Sequence, residues 1–121
     1  LSVSGKTARI EGAKLNVDQM KLIAGEKSTQ FIVGDMNTNE DACHNNFKTF
    51  LSDARALSPE TDNKGTYNGW KPSATSIIDY IYYKNISSPL KYATITSADY
   101  GVTFVSDHYP IIFRCEIKAD K

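Results

Sequence analysis

Ser76-Ile77-Ile78-Asp79-Tyr80-Ile81-Tyr82-Tyr83 is the clearest strand in this chain of 121 residues, and it carries a carboxylate on an apolar face. Isoleucine and tyrosine fill the run, as a pleated, buried strand requires. On a period of two, Asp79 shares a face with Ile77, Ile81 and Tyr83. A carboxylate buried there costs several kcal/mol unless it is paired. Histidine is a natural partner. The alternative is an edge position from which Asp79 reaches water.

Working outward, Gln30-Phe31-Ile32-Val33 is a second strand that stops abruptly at Gly34. Pro110–Ile117 alternates, with Ile111, Phe113, Cys115 and Ile117 on one face and Arg114 and Glu116 on the other. Tyr92–Thr96 is a further strand, Thr66–Trp70 a short strand or strand edge, and Ser97–Gly101 a turn. Among Ala8, Ile10, Ala13, Leu15, Val17, Met20, Leu22, Ile23 and Ala24, several gaps are three or four, which predicts an amphipathic helix over Thr7–Ala24, stopped by Gly25. Phe47, Phe50, Leu51 and Ala54 predict a second helix over Asn45–Leu57, ended by Ser58-Pro59. Helix, strand, helix and then mostly strands make a mixed α/β layout with one strongly hydrophobic sheet face.

Composition narrows the function. Hydrophobic residues make up 40% and charged residues 23%, as in an ordinary globular domain. Lys plus Arg and Asp plus Glu are both 14, so the net charge is zero and a strongly basic nucleic-acid binder is not indicated. Apolar runs stop at the four residues Tyr80–Tyr83, which excludes a helical membrane span. Leu1–Lys6 shows no signal peptide, although a removed one would leave no trace. Cys43 and Cys115 allow either one bridge or two free thiols, and their spacing suits no zinc site. His44 lies in a polar stretch and reads as a surface residue.

Two more segments place polar chemistry beside a strand. In Gly34-Asp35-Met36-Asn37, Asp35 and Asn37 are two residues apart. In extended chain they point the same way, so a carboxylate and a carboxamide converge on one water. The first takes its proton and the second donates to an oxyanion. A plain turn is the competing reading, since Gly, Asp and Asn all favour turns. In Ser106-Asp107-His108-Tyr109-Pro110, adjacent side chains diverge, so there is no nucleophilic triad. Asp107 suits a hard cation and His108 a phosphate or leaving group, unless Ser106-Asp107 merely forms a turn.

In order and flanks, these three segments resemble the endonuclease/exonuclease/phosphatase superfamily, the DNase I-like metal-dependent phosphoesterases. Its G-D-x-N, I-D-Y-I and S-D-H-x-P motifs match Gly34–Asn37, Ile78–Ile81 and Ser106–Pro110. Thr66-Tyr67-Asn68-Gly69-Trp70 looks like the Thr-aromatic-x-Gly-aromatic segment before the I-D-Y-I strand, and Ala8-Arg9 like an A-R pair in a preceding helix. The resemblance implies half of a DNase I-like α/β sandwich: one mostly antiparallel sheet with two helices on one face. Residues 1–121 match the C-terminal half of such a domain, without the half that carries a metal-binding Glu and a second active-site His.

The resemblance also implies roles. Asp35 orients or deprotonates the attacking water, and Asn37 helps hold it. Asp79 fixes His108, which stabilises charge on the phosphoryl group. Asp107 helps bind Mg²⁺ or Mn²⁺. Asn68 and Trp70 are the substrate-contact candidates, with core packing of the aromatic residues as the alternative. The implied substrate is a phosphoester, whether nucleic acid, phospholipid or sugar phosphate. The exposed inner sheet face offers a surface for self-association. A non-catalytic fragment or interaction module that retains the fold is the reading from another class. Asn85-Ile86-Ser87 also fits a glycosylation sequon, a short match that is commonly accidental.

Overall fold

The structure is a computed structural model that describes residues 1–73, 75–96 and 100–117. In chain order it holds α1 (Lys6–Ala24), β1 (Gln30–Asp35), α2 (Asp41–Lys48), β2 (Ser52–Asp53), α3 (Ala54–Leu57), β3 (Asp79–Lys84), β4 (Ser88–Thr94) and β5 (Ile111–Glu116). The expected mixed α/β fold is present. β3 is the centre of a three-stranded sheet ordered β1-β3-β2, and β4 and β5 pair separately. All these strand pairs are antiparallel. The single sheet expected from the sequence is thus divided into two among the described residues. The turn expected at Ser97–Gly101 lies largely outside them.

β3 is buried on both faces because each face has its own core. Tyr80 and Tyr82 pack with Ala13 and Val17 of α1 and with Cys43 and Phe47 of α2. Ile81 and Tyr83 turn the other way, to Ala54 and Tyr92, with Ile111 and Phe113 of β5 against them. Phe47 and Tyr82 are wholly buried and stack at 4.9 Å between ring centroids. Truncating Phe47 to alanine costs about 3–5 kcal/mol by the usual transfer and cavity terms.

α1 ends where expected: Gly25 adopts φ 71° and its N–H donates to the Lys21 carbonyl. Its packed stripe is Ile10, Ala13, Val17 and Met20, while Leu15, Leu22 and Ile23 are exposed. The second helix needs correction, because residues 45–57 are not one helix. α2 starts at Asp41 and ends at Lys48, after which the N–H groups of Phe50 and Leu51 both close on the Phe47 carbonyl. Ser52 and Asp53 then pair with Tyr83 and Tyr82 on the sheet edge. Asp53 accepts the Arg55 N–H at 3.0 Å and so starts the short α3. The helical spacing was real, but Phe47 and Ala54 serve different cores.

Cys43 and Cys115 are both free thiols. Among the described residues, no helix is long and apolar enough to cross a membrane. Phe31 and Val33 of β1 lie on the Ile81–Tyr83 side of the sheet, yet are 43% and 63% exposed. The expected exposed apolar sheet face is there.

Candidate active site

Register builds the site. β1 and β3 pair so that Asp35 stands opposite Asp79. Like charges placed opposite one another repel and destabilise a ladder. His108 sits between them and offsets that repulsion. Its Nδ1 lies 2.8 Å from Asp79 Oδ2 and its Nε2 lies 3.7 Å from Asp35 Oδ2. Asp79 therefore has the partner its position demanded, and its side chain is only 15% exposed.

The electrostatics follow. Burial alone would lower the His108 pKa, but the hydrogen bond and charge of Asp79, joined by the charges of Asp35 and Asp107, hold it above the ordinary histidine value. The two carboxylates thus favour the protonated ring. The Tyr67 ring meets the imidazole edge-on at 5.2 Å and limits its tilt.

Asp35 and Asn37 are joined differently from the extended-chain reading. Asn37 has φ 56°, a left-handed conformation that asparagine tolerates, so the period of two breaks there. Its N–H donates to Asp35 Oδ1 at 2.8 Å, closing a turn, and its carboxamide donates to the Leu1 carbonyl at 2.5 Å. The turn reading and the site reading thus describe one object.

Asn68 needs a different role from substrate contact. It is buried, its Nδ2 donates to the Ser106 carbonyl and its Oδ1 accepts the Trp70 N–H. Its backbone N–H also donates to the Asp107 carbonyl at 2.8 Å. In this geometry it ties the 66–70 segment to the histidine loop. Trp70, by contrast, is 60% exposed rather than core, with φ 66°. Asp107 lies outside the group formed by Asp35, Asp79 and His108, and it acts on His108 through its charge.

Thr66 was missed as a site-building residue. Its fully buried hydroxyl accepts the N–H groups of Ile78 and Asp79, at 3.0 and 3.1 Å, and its carbonyl accepts the Tyr109 N–H at 2.7 Å. It locks the start of β3 to the His108 loop. The signal available was its place at the head of the Thr-Tyr-Asn-Gly-Trp segment. His44 was misread as surface. It is 2% exposed, because Tyr82, Tyr80 and the Thr38 carbonyl enclose its ring.

The ligand atoms of Asp35, Asp79 and His108 lie within 4.8 Å of one another, a group that could hold a metal ion. Carboxylate oxygens suit a hard divalent cation. One Asp79 oxygen and His108 Nδ1 are already paired, so the fit is to the carboxylate side of the group rather than to a three-ligand cage.

A scan against family models finds no match, and a search of curated proteins finds none. Solved structures do match. A mannosyl-6-phosphatase of Bacteroides thetaiotaomicron aligns at 26% identity and TM-score 0.79, over 95% of this chain and 48% of its own. An endonuclease/exonuclease/phosphatase family protein of the same organism aligns at 26% identity and TM-score 0.73, over 92% and 46%. An endonuclease/exonuclease/phosphatase from Bacteroides vulgatus, at 22% identity and TM-score 0.81 over 98% and 47%, shares the fold. The chain spans about half the length of the structures it matches. In fold and motif order the chain is similar to the endonuclease/exonuclease/phosphatase proteins over about half of their length.

Proposed function

We propose that this chain supplies the C-terminal half of a metal-dependent phosphoester hydrolase that attacks with an activated water. The observation that carries the reading is His108 held between Asp79 and Asp35, from three separate segments of the chain, at the end of the sheet. Asp35 Oδ2 takes the proton of the attacking water. Asn37, on the same turn, uses its second carboxamide N–H to steady that water or a phosphoryl oxygen. Asp79 fixes the ring and stabilises the imidazolium. His108 then donates toward the phosphoryl oxygens as negative charge develops there. Asp107, directly or through water, would hold Mg²⁺ or Mn²⁺. When bound, such an ion neutralises phosphoryl charge and lowers the pKa of water.

The exposed Trp70 and Tyr67 give the site an aromatic rim that suits stacking on a sugar or base. The similarity to a mannosyl-6-phosphatase supports sugar phosphates as the first substrates to test. Phe31 and Val33 leave an apolar strip that a second copy can cover. The non-catalytic reading has one observation in its favour: the chain covers less than half of each matching structure described above.

This chain alone is expected to be weakly active or inactive, so the test, with the N-terminal half of such a domain supplied, is release of phosphate from sugar phosphates, and of nitrophenol from mono- and diesters, with and without EDTA. Hydrolysis that requires Mg²⁺ or Mn²⁺ supports the proposal, and hydrolysis that survives EDTA sinks it. Sedimentation across a concentration series checks the second copy. A monomer at all concentrations rejects it.

A further inference from the structure

The turn that carries Asp35 and Asn37 is held from behind by a group outside the acidic cleft. Met36 is pinned on one side, buried in the core with its N–H donating to the Ile78 carbonyl at 2.7 Å. On the other side, the Thr38 carbonyl lies 2.7 Å from His44 Nε2, and His44 Nδ1 lies 2.5 Å from the Tyr82 hydroxyl. A carbonyl only accepts, so Nε2 carries the hydrogen and Nδ1 accepts from Tyr82. The relay runs in one direction: Tyr82 hydroxyl to His44 to Thr38 carbonyl. The ring lies 4.0 Å from Tyr80, so it cannot swing. All three members are buried.

We infer that His44 is a positioning residue: relayed from Tyr82, it fixes the Thr38 carbonyl and thereby the left-handed Asn37 that the catalytic turn needs. What the imidazole adds is two hydrogen bonds of opposite sense at a fixed separation. Without them the Thr38 carbonyl is buried unpaired, and the turn can relieve that only by moving. Displacement of a catalytic group by about 1 Å is enough to lower turnover by about 10²-fold. This inference rests on the site being a phosphoester hydrolase.

The experiment compares His44→Phe, His44→Gln and, as a core control, Val17→Ala in the chain joined to the N-terminal half of such a domain. Hydrolysis of nitrophenyl phosphate with Mg²⁺ is followed by steady-state kinetics. The Asn37 amide and the His44 ring nitrogens are followed by NMR. His44→Phe should lower kcat about 10- to 100-fold with KM nearly unchanged, and should move the Asn37 amide resonance. His44→Gln, which keeps a donor toward Thr38, should recover part of kcat. Val17→Ala should lower the melting temperature without changing kcat or that resonance. The wild-type ring should show hydrogen on Nε2 alone.

If His44→Phe behaves like Val17→Ala, losing stability only, the inference is overturned. If it fails to fold, His44→Gln decides: a wild-type Asn37 resonance supports the relay only when Nε2 carries the wild-type hydrogen, and a Nδ1–H tautomer overturns it. If the wild type joined to the N-terminal half of such a domain hydrolyses no phosphoester, the functional reading fails. The tautomer and the Asn37 resonance then still decide what His44 does.

Discussion

The two histidines sit on opposite sides of β3, and their surroundings set opposite chemistry. His44 is enclosed by Tyr80, Tyr82 and a carbonyl. Burial holds its pKa below the ordinary value, against weaker opposing pulls from the Thr38 carbonyl and the Asp53 charge. His108 is half-buried among carboxylates, and they outweigh its burial. One side chain type thus serves as a two-way connector whose burial favours the neutral ring on the helix side of the sheet, and as a ring whose carboxylate neighbours favour the protonated form on the other side. What separates them is the partner set: neutral and rigid in one case, anionic in the other.

The largest expected effect comes from removing the anionic partner. Asp79→Asn keeps the shape at His108 but cannot hold the imidazolium or enforce its tautomer. Turnover should fall on the order of 10⁴-fold, as for a carboxylate that orients a catalytic histidine elsewhere. His108→Ala should lose about 10²- to 10⁴-fold, with folding nearly intact. Kinetics beside circular dichroism check both. Wild-type turnover in His108→Ala would mean that His108 takes no part in the chemistry.

The next effect belongs to the other face. Tyr82→Phe keeps the ring stack but leaves His44 Nδ1 buried without a donor. That should cost about 1–3 kcal/mol of stability, read by urea unfolding. A neutral result would mean that the ring nitrogen finds another partner, and the contrast between the faces would weaken.

How much of this was legible follows the same division. The cleft side was readable because its residues are polar in places where apolar ones belong. Asp79 on a strand face demanded a partner, and the family resemblance named His108 as that partner. β1, β3, β5 and α1 were legible from periodicity and from glycine stops. The helix side misled, because nothing local marks His44. Its neighbours in sequence are polar, and its enclosing rings come from β3, 36 to 38 positions away. The split of residues 45–57 was hidden for a related reason. The Phe47–Ala54 spacing fits a helix, and only the pairing of Ser52 and Asp53 with β3 breaks it. Asn85 of the sequon has a structural use. Its carboxamide donates to the Glu26 and Ser28 carbonyls, so the motif serves to tie the β3–β4 turn to the loop after α1.

The smallest effect is the pH dependence of stability, and it separates the two histidines most directly. His108 has a folded pKa above its unfolded value of about 6.5, so the folded state holds more protons. Its contribution is complete below about pH 6.5 and is lost as pH rises through the folded pKa. His44 has a folded pKa below that value, so the unfolded state holds more protons. Its contribution is complete above about pH 6.5 and is lost as pH falls through the folded pKa. The two slopes have opposite signs and meet near the unfolded histidine pKa. From these groups, stability should peak close to pH 6.5, with Asp62 acting only at far lower pH because the Thr94 and Lys64 N–H groups, against its burial, hold its carboxyl below the ordinary range. Urea unfolding from pH 5 to 8 should show that maximum. His108→Asn should flatten the alkaline side and leave the acid side sloped, and His44→Gln should do the reverse. The same flattening in both variants, or a steady rise through pH 8 in the wild type, would mean that the two rings do not differ as their partners require.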